Sequence, residues 1–87
     1  MATNAAPPPI VALTSAAQIG ASVKAARARF GWSQHATASR CGVGYRFYRE
    51  LEEGKATARL NKVFKVLKGL SLALMLTPAG YRPPGVR

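Results

Sequence analysis

Four side chains rich in hydrogen-bonding groups lie in one short segment, directly after a turn that contains two glycines. They are Tyr45, Arg46, Arg49 and Glu50. Arginine can place two parallel donors on the O6 and N7 atoms of guanine, and glutamate can accept a hydrogen bond from the N4 amino group of cytosine. Tyrosine can touch a thymine methyl group or a phosphate. These residue types in this order therefore indicate base contacts in the major groove of DNA.

The apolar residues of the same segment decide which way these side chains point. A predicted helix over residues 45–53 has an apolar face formed by Phe47, Tyr48 and Leu51. At 100° per residue, Arg46 and Arg49 point away from that face, and Tyr45 and Glu50 lie on its two flanks. The alternative is that the two arginines form a solvated helix face, with Arg49 paired to the carboxylate four residues later.

The composition excludes most enzymatic chemistry and favours a polyanionic partner. The chain has 87 residues, with 13 lysines and arginines against three glutamates, which gives a net charge of +10. A charge of this size indicates nucleic acid or an anionic membrane surface. One histidine, one cysteine and three clustered carboxylates cannot supply a catalytic triad, a four-ligand zinc site or a separated acid and base. We therefore expect no enzyme activity, no metal and no cofactor.

The sequence also predicts a soluble protein. The apolar stretch Leu70–Leu76 is far shorter than the roughly 20 residues of a membrane span. The single cysteine cannot form an internal disulfide, which fits a reducing cytoplasm. We expect a cytoplasmic protein without membrane contact that associates with the bacterial nucleoid through DNA binding.

Capping residues and apolar periodicity predict four helices. The first three are expected at about 16–30, 34–41 and 45–53. Ser15 and Ser33 cap the first two, and Thr57 caps the fourth. The apolar stripe of the first helix consists of Ile19, Val23, Ala26 and Phe30. The stripe of the fourth consists of Leu60, Val63, Phe64, Leu67 and Leu70.

The residues after the fourth helix have the alternation of a short strand. Leucines at 72, 74 and 76 alternate with Ala73 and Met75, so both faces are apolar. An unpaired apolar strand invites pairing with a second copy, although it could instead fold back on its own core. The predicted division is a flexible tail at 1–13, a helical domain at 14–70, a dimerisation strand at 71–77 and a flexible tail at 78–87. Residues 10–13 could add an outer strand.

Three parts of the sequence form a recognisable pattern. Gln34 opens a short helix, residues 41–43 form a turn of a small residue, glycine and valine, and residues 51–55 read Leu-Glu-Glu-Gly-Lys. This pattern resembles the helix-turn-helix of the phage repressor and Cro class, the Xre family. Residues 46–67 and the leucine-rich segment after them resemble the HipB-like antitoxins, which are small DNA-binding partners of HipA-type kinase toxins. The resemblance implies a mainly α, lambda repressor-like domain of four to five helices, with a short C-terminal β-strand used in dimerisation.

The resemblance also implies roles for residues outside the third helix. It places Gln34 and Lys55 on DNA phosphates, and Ser33 begins the same helix as Gln34, where free N–H groups favour an anion. The alternatives are plain helix capping for Gln34 and a solvated side chain for Lys55. It further implies that Glu52 forms a structural ion pair with Arg27, late in the first helix.

Other residues are expected to have structural or neutral roles. Trp32 and Cys41 are interpreted as core residues. Thr37 stands where the resembling family has a core leucine, and Gly44 stands where it has a serine or threonine cap. His35 is expected at the surface, with phosphate contact as the alternative.

The sequence therefore predicts a sequence-specific transcriptional repressor. It would bind an inverted-repeat operator in double-stranded DNA as a homodimer. The resemblance implies that it is the antitoxin of a HipA-like kinase toxin and regulates its own operon. Two alternatives remain open, namely a protein-interaction module that mainly neutralises a toxin and a stand-alone phage-type Xre regulator.

Overall fold

Four helices make up the described part of the chain. The computed structural model describes residues 10–81. It contains α1 (Ala16–Phe30), α2 (Gln34–Cys41), α3 (Tyr45–Glu52) and α4 (Leu60–Gly69). α1 packs on α3, and α2 packs on both α3 and α4. The mainly α fold and the four predicted helices are confirmed, while the predictions for residues 1–9 and 82–87 lie outside the described residues.

Local capping signals fix where the first two helices begin and end. The Oγ atom of Ser15 accepts a hydrogen bond from the N–H of Gln18 at 3.3 Å. In α2, the Oγ atom of Ser33 accepts from the N–H of Ala36 at 3.0 Å. Each serine satisfies a backbone donor that has no partner inside its helix. Because these signals are local in sequence, α1 and α2 have the predicted bounds.

One core lies between the helices. It consists of Val23, Ala26, Ala38, Cys41, Tyr48, Leu51, Val63, Val66, Leu67 and Leu70. Thr37 is fully buried among them, and its hydroxyl donates to the Ser33 carbonyl at 2.8 Å. That hydrogen bond satisfies the polar group which replaces the expected leucine. Burial raises the pKa of the Cys41 thiol, as expected for a cysteine that acts as a small apolar residue.

Two glycines allow helices to approach more closely than other residues would permit. A Cβ atom at Gly20 would lie 2.5 Å from the carbonyl oxygen of Leu51 and 2.6 Å from that of Glu52. A Cβ atom at Gly69 would collide with the Sγ atom of Cys41. Gly20 therefore sets the distance between α1 and the end of α3, and Gly69 sets the distance between α4 and α2.

The fourth helix differs from its prediction in two respects. Thr57 is not its cap, because Thr57 lies in a turn and Arg59 is the N-cap, with no side-chain hydrogen bond. Leu60 and Phe64 are not core residues, since they are 62% and 49% exposed. The core instead takes Val66 from the same helix. The helix is rotated so that its second apolar edge faces solvent.

The end of α1 holds a stack of rings at the edge of the core. The rings of Phe30 and Trp32 are stacked, with centroids 4.4 Å apart. The guanidinium of Arg40 lies over the Trp32 ring, 4.3 Å from its centroid. Trp32 is only partly buried and Phe30 is exposed. Both were expected in the core, and both pack at its margin because α1 ends at Gly31 and turns away.

The predicted C-terminal strand is not formed in this chain. Residues 72–78 have no regular secondary structure. The N–H of Leu72 donates to the Leu67 carbonyl of α4 at 2.7 Å, and within the described residues no backbone hydrogen bond joins residues 73–77 to another segment. Leu72 packs against the core, whereas Leu74, Met75 and Leu76 are exposed. Residues 10–13 likewise form no strand. A strand requires a paired backbone, and one copy of residues 10–81 offers none here.

Neither a membrane span nor a metal cluster occurs in residues 10–81. None of the helices there is long and apolar enough to cross a bilayer. No three histidine, cysteine or glutamate side chains of that range come together in a group that could hold a metal ion.

Candidate nucleic-acid interface

A tight turn connects α2 to α3 and fixes the angle between them. Gly42 ends α2 in the left-handed conformation, at φ 74°, where a side chain would be strained. Its N–H donates to the carbonyls of Ala38 and Ser39, and the N–H of Val43 donates to Ala38 at 3.0 Å. Gly44 then begins α3 without a side-chain cap. The turn thus sets α3 across α2.

The buried face of α3 gives its polar side chains a fixed direction. Tyr48 and Leu51 are buried, and Phe47 packs against the core. The Arg46 side chain is 83% exposed on the opposite side of the helix. Arg49 is less exposed and lies near Glu53, with its Nε atom 3.9 Å from the Oε2 atom. α3 therefore has the predicted orientation. The pairing of Arg49 with Glu53, which was the alternative to DNA contact, is also present.

Glu50 holds two of the basic side chains that could meet DNA. Its carboxylate accepts from the Nζ of Lys55 at 3.0 Å and from the Nε of Arg46 at 3.4 Å. The hydrogen bond from Lys55, more than that from Arg46, lowers the pKa of Glu50. In the free protein this carboxylate joins a base-reading candidate to a phosphate-binding candidate.

Tyr45 at the start of α3 is stacked on His35 near the start of α2. Their ring centroids lie 3.6 Å apart, and the ring planes are inclined by 7°. The guanidinium of Arg49 lies over the Tyr45 ring, 5.9 Å from its centroid. This contact could not be predicted from the sequence, because nothing local in the chain indicates that residues ten positions apart will meet.

The start of α2 combines a capping serine with a tethered glutamine. The Ser33 hydroxyl is used in capping, as described above. The Nε2 atom of Gln34 donates to the Oε1 atom of Glu52 at 2.9 Å. The first N–H groups of a helix have no partner within it and can donate hydrogen bonds to an anion. The structure therefore places Gln34 beside such a position, with its side-chain amide directed towards Glu52 at the end of α3.

Arg27 and Glu52 form a well-shielded ion pair. The Nε and Nη2 atoms of Arg27 donate to the two carboxylate oxygens at 2.6 and 3.2 Å, and its Nη1 atom donates to the Trp32 carbonyl at 2.9 Å. Glu52 is 4% exposed and Arg27 is 18% exposed. Burial alone would raise the pKa of Glu52, but the hydrogen bonds that it accepts, first from Arg27, keep that pKa below its usual value. Glu52 thereby ties α3 to α1 and, through Gln34, to α2.

A shallow cleft beside α3 contains further basic groups. It is lined by Phe47, Glu50, Leu51, Lys55, Thr57, Ala58, Arg59 and Lys62. The Nζ atom of Lys62 lies 5.6 Å from the centroid of the Phe47 ring. Arg59 and Lys62, at the start of α4, thus border the same cleft as Lys55.

Known proteins share this arrangement. The family described as Helix-turn-helix matches residues 23–74. An uncharacterized HTH-type transcriptional regulator of Sinorhizobium fredii, y4mF, is 39% identical over 66 residues, which cover 76% of this chain and 87% of that protein. Two short helices joined at a glycine turn, with an exposed basic face on the second, define the class of helix-turn-helix regulators. Within that class, the chain belongs to the helix-turn-helix family of the Xre and HipB-like type.

Solved structures show the same fold. A structure described as a HipB-O4 20mer complex matches with a TM-score of 0.73 and 26% identity, over 80% of this chain and 99% of that one. A structure described as a HipA-HipB-O2-O3 complex matches with the same TM-score and 24% identity, also over 80% and 99%. The fold of this chain is therefore that of the HipB structures.

Proposed function

We propose that this chain is a sequence-specific transcriptional repressor that reads double-stranded DNA with α3. The observation that carries the proposal is the direction of Arg46, which stays 83% exposed while Tyr48 and Leu51 lock the opposite face of the helix into the core. A side chain held in this way can reach guanine in the major groove. Such a repressor acts on the chromosome, so its place is the cytoplasm, in association with the nucleoid.

Base contacts and phosphate contacts divide between two groups of residues. Tyr45, Arg46, Arg49 and Glu50 read base edges. Ser33, Gln34 and Lys55 contact phosphates, and these contacts position α3 without reading sequence. The net charge of +10 supports strong, salt-dependent attraction to DNA.

The repressor works as a homodimer on an inverted repeat. Support comes from the apolar side chains that one copy leaves exposed, among them Leu60 and Phe64 on α4 and residues 74–76 after it. Leu72, Leu74 and Leu76 would lie in a segment that pairs with the same segment of a second copy. Two-fold symmetry then places the half-sites roughly 10 base pairs apart, centre to centre.

A second proposal concerns a protein partner. The segment 46–67 has the HipB-like pattern, and a HipB chain of this fold is described in complex with HipA. We infer that this chain is the antitoxin of a HipA-like kinase and represses their shared operon. When the full chain is purified from its own cells, such a kinase should co-purify with it in equal amounts. If DNA is recovered without any kinase, the result would contradict the antitoxin role and favour the alternative of a stand-alone Xre regulator.

Footprinting of the promoter that precedes the gene tests the repressor proposal. We expect a protected region with two-fold sequence symmetry. Protection without symmetry would contradict the dimeric model, and no protection above that of random DNA would contradict sequence-specific binding.

The variant Arg46→Ala tests the role of α3 in reading DNA. We expect operator binding to weaken by about 1–3 kcal/mol and the preference at one base pair to relax, with little change on random DNA. An equal loss on operator and random DNA would contradict base reading by Arg46. Lys68→Ala, on the exposed side of α4, is a matched control for the removal of one positive charge.

A further inference from the structure

The contact between His35 and Tyr45 joins the two helices of the motif outside its core. His35 is the second residue of α2 and is exposed, while Tyr45 is the first residue of α3 and is half-buried. Their rings lie face to face, with centroids 3.6 Å apart and planes 7° from parallel. No requirement of the core explains this contact, because neither residue belongs to the core cluster.

We propose that His35 is a positioning residue for Tyr45 and thereby determines which base pair the start of α3 prefers. This inference rests on the proposed role of Tyr45 in base reading. A tyrosine at the first position of a helix can rotate about its side-chain bonds. If a base contact requires one rotamer, the side chain loses this freedom on binding, and the loss of conformational entropy weakens binding. The imidazole restricts the Tyr45 ring before DNA arrives.

The neighbourhood of the ring strengthens this role. The Arg49 guanidinium lies over the Tyr45 ring, 5.9 Å from its centroid. The Nε atom of Arg49 also lies 3.9 Å from the Oε2 atom of Glu53, so Arg49 is close to both the ring and a carboxylate. A shift of the tyrosine ring would therefore change the surroundings of a second base-reading candidate. The three side chains His35, Tyr45 and Arg49 form one connected group that spans the motif.

The stack has a chemistry that a substitution can preserve or remove. Phenylalanine at position 35 keeps an aromatic face and has no ring nitrogen, whereas alanine removes the face. If His35 acts by stacking, His35→Phe should behave as the wild type. If it acts by a hydrogen bond to phosphate, His35→Phe should behave as His35→Ala.

Selection from a pool of randomised duplex DNA provides the main test. Tyr45→Ala identifies the base pair whose preference depends on Tyr45. At that base pair we expect His35→Ala to reduce the preference by about threefold to tenfold, the range typical of one aromatic pair. His35→Phe should restore it. In the Tyr45→Ala background, His35→Ala should add nothing. Ser39→Ala, exposed on the same helix, should leave the preference unchanged.

Either of two patterns of loss in the selection would overturn the inference. One is a loss in His35→Ala that His35→Phe does not restore, and the other is an equal loss in the presence and absence of the Tyr45 ring. Proton resonances of the Tyr45 ring test the stack without DNA. They should be shifted by the neighbouring ring in the wild type and His35→Phe, and not in His35→Ala. Identical resonances in all three would also refute it.

The same measurements separate this inference from the proposed function. A wild-type chain that selects no sequence from the pool refutes the repressor proposal itself. A wild-type chain that selects a sequence, with a His35→Ala variant that selects the same one with equal preference, refutes only the role of His35.

Discussion

Replacement of Glu52 by glutamine should destabilise the domain far more than any other loss of a carboxylate. Glu52 is 4% exposed and accepts two hydrogen bonds from Arg27 and one from Gln34. The glutamine keeps the shape of the side chain but removes its charge, so Arg27 stays largely buried without a counter-ion. Loss of one partner of a buried pair costs about 3–5 kcal/mol. Because Arg27 keeps 18% exposure and glutamine keeps one acceptor, we expect about 3 kcal/mol.

That loss is large against the stability of a domain of this size. At roughly 0.05–0.15 kcal/mol per residue, the residues of the described domain give about 4–11 kcal/mol in total. For domains of this length, each kcal/mol moves Tm by about 4–8 °C, so Glu52→Gln should lower Tm by roughly 12–24 °C. Thermal and urea unfolding followed by circular dichroism measure both quantities. Protein concentration must be held constant, because assembly would shift the apparent stability.

The control is Glu53→Gln, one residue further on. The Glu53 side chain is 65% exposed and its pairing with Arg49 is long, at 3.9 Å. An exposed pair contributes at most about 1 kcal/mol, so this variant should unfold close to the wild type. If Glu52→Gln is no more destabilised than Glu53→Gln, the pair between Arg27 and Glu52 does not support the fold as argued.

The pH dependence gives an independent check of the same pair. The pKa of Glu52 in the folded state lies below its ordinary value of 4.5. A carboxyl group with a lowered folded-state pKa stabilises the fold above its unfolded pKa, and this contribution is lost as the pH falls through the folded pKa. The wild type should therefore lose stability below about pH 4.5, and Glu52→Gln should show a smaller loss over the same range. Equal slopes would refute the assignment.

The remaining predictions concern DNA binding, assembly and packing. Lys55→Ala should weaken binding to all sequences alike and reduce the salt slope by about one unit, as titrations at several salt concentrations can show; a loss confined to one sequence would argue against a phosphate contact. Truncation after Ser71 should give a monomer with weaker operator binding, and a truncated chain whose mass in solution is still that of a dimer would refute pairing through residues 72–76. Gly20→Ala should cost about 1–3 kcal/mol in urea unfolding, because its Cβ would lie 2.5 Å from the Leu51 carbonyl oxygen. Gly44→Ser, where a Cβ meets open space, should instead stabilise α3 slightly by supplying the missing cap.

The parts of the fold that follow from local signals could be predicted from the sequence. α1 and α2 have the expected bounds because Ser15 and Ser33 cap their starts, and Gly31 and Gly42 end them in the left-handed conformation. The direction of α3 was also predictable. Its apolar residues are close in sequence, and the helical period fixes where Arg46 points relative to them.

The parts that depend on contacts between distant segments could not be predicted. Leu60 and Phe64 have the spacing of a core stripe, but the rotation of α4 is decided by its packing on α2, where Gly69 meets Cys41. The alternation of leucines with other apolar residues after Ser71 predicts a strand, but a strand forms only where a second backbone is present to pair with it. The stack of His35 on Tyr45 depends on the angle of the turn, which periodicity does not report.

Under the proposed function, the three glutamates have different roles, and these roles would let a strongly basic chain discriminate between DNA sequences. Glu52 is buried in its ion pair with Arg27, and Glu53 is exposed beside Arg49. Glu50, which pairs with Lys55, is therefore the carboxylate that would face the major groove in the proposed complex. The ion pairs of Glu50 with Lys55 and Arg46 are exposed and cost little free energy to break. Lys55 can therefore bind a phosphate and Arg46 can bind a guanine when DNA is present. Glu50 then remains among the bases, where a carboxylate is tolerated only beside a donor such as the N4 amino group of cytosine. In the proposed complex, the residue that organises the two cations before binding is also the residue that opposes the wrong sequence after it.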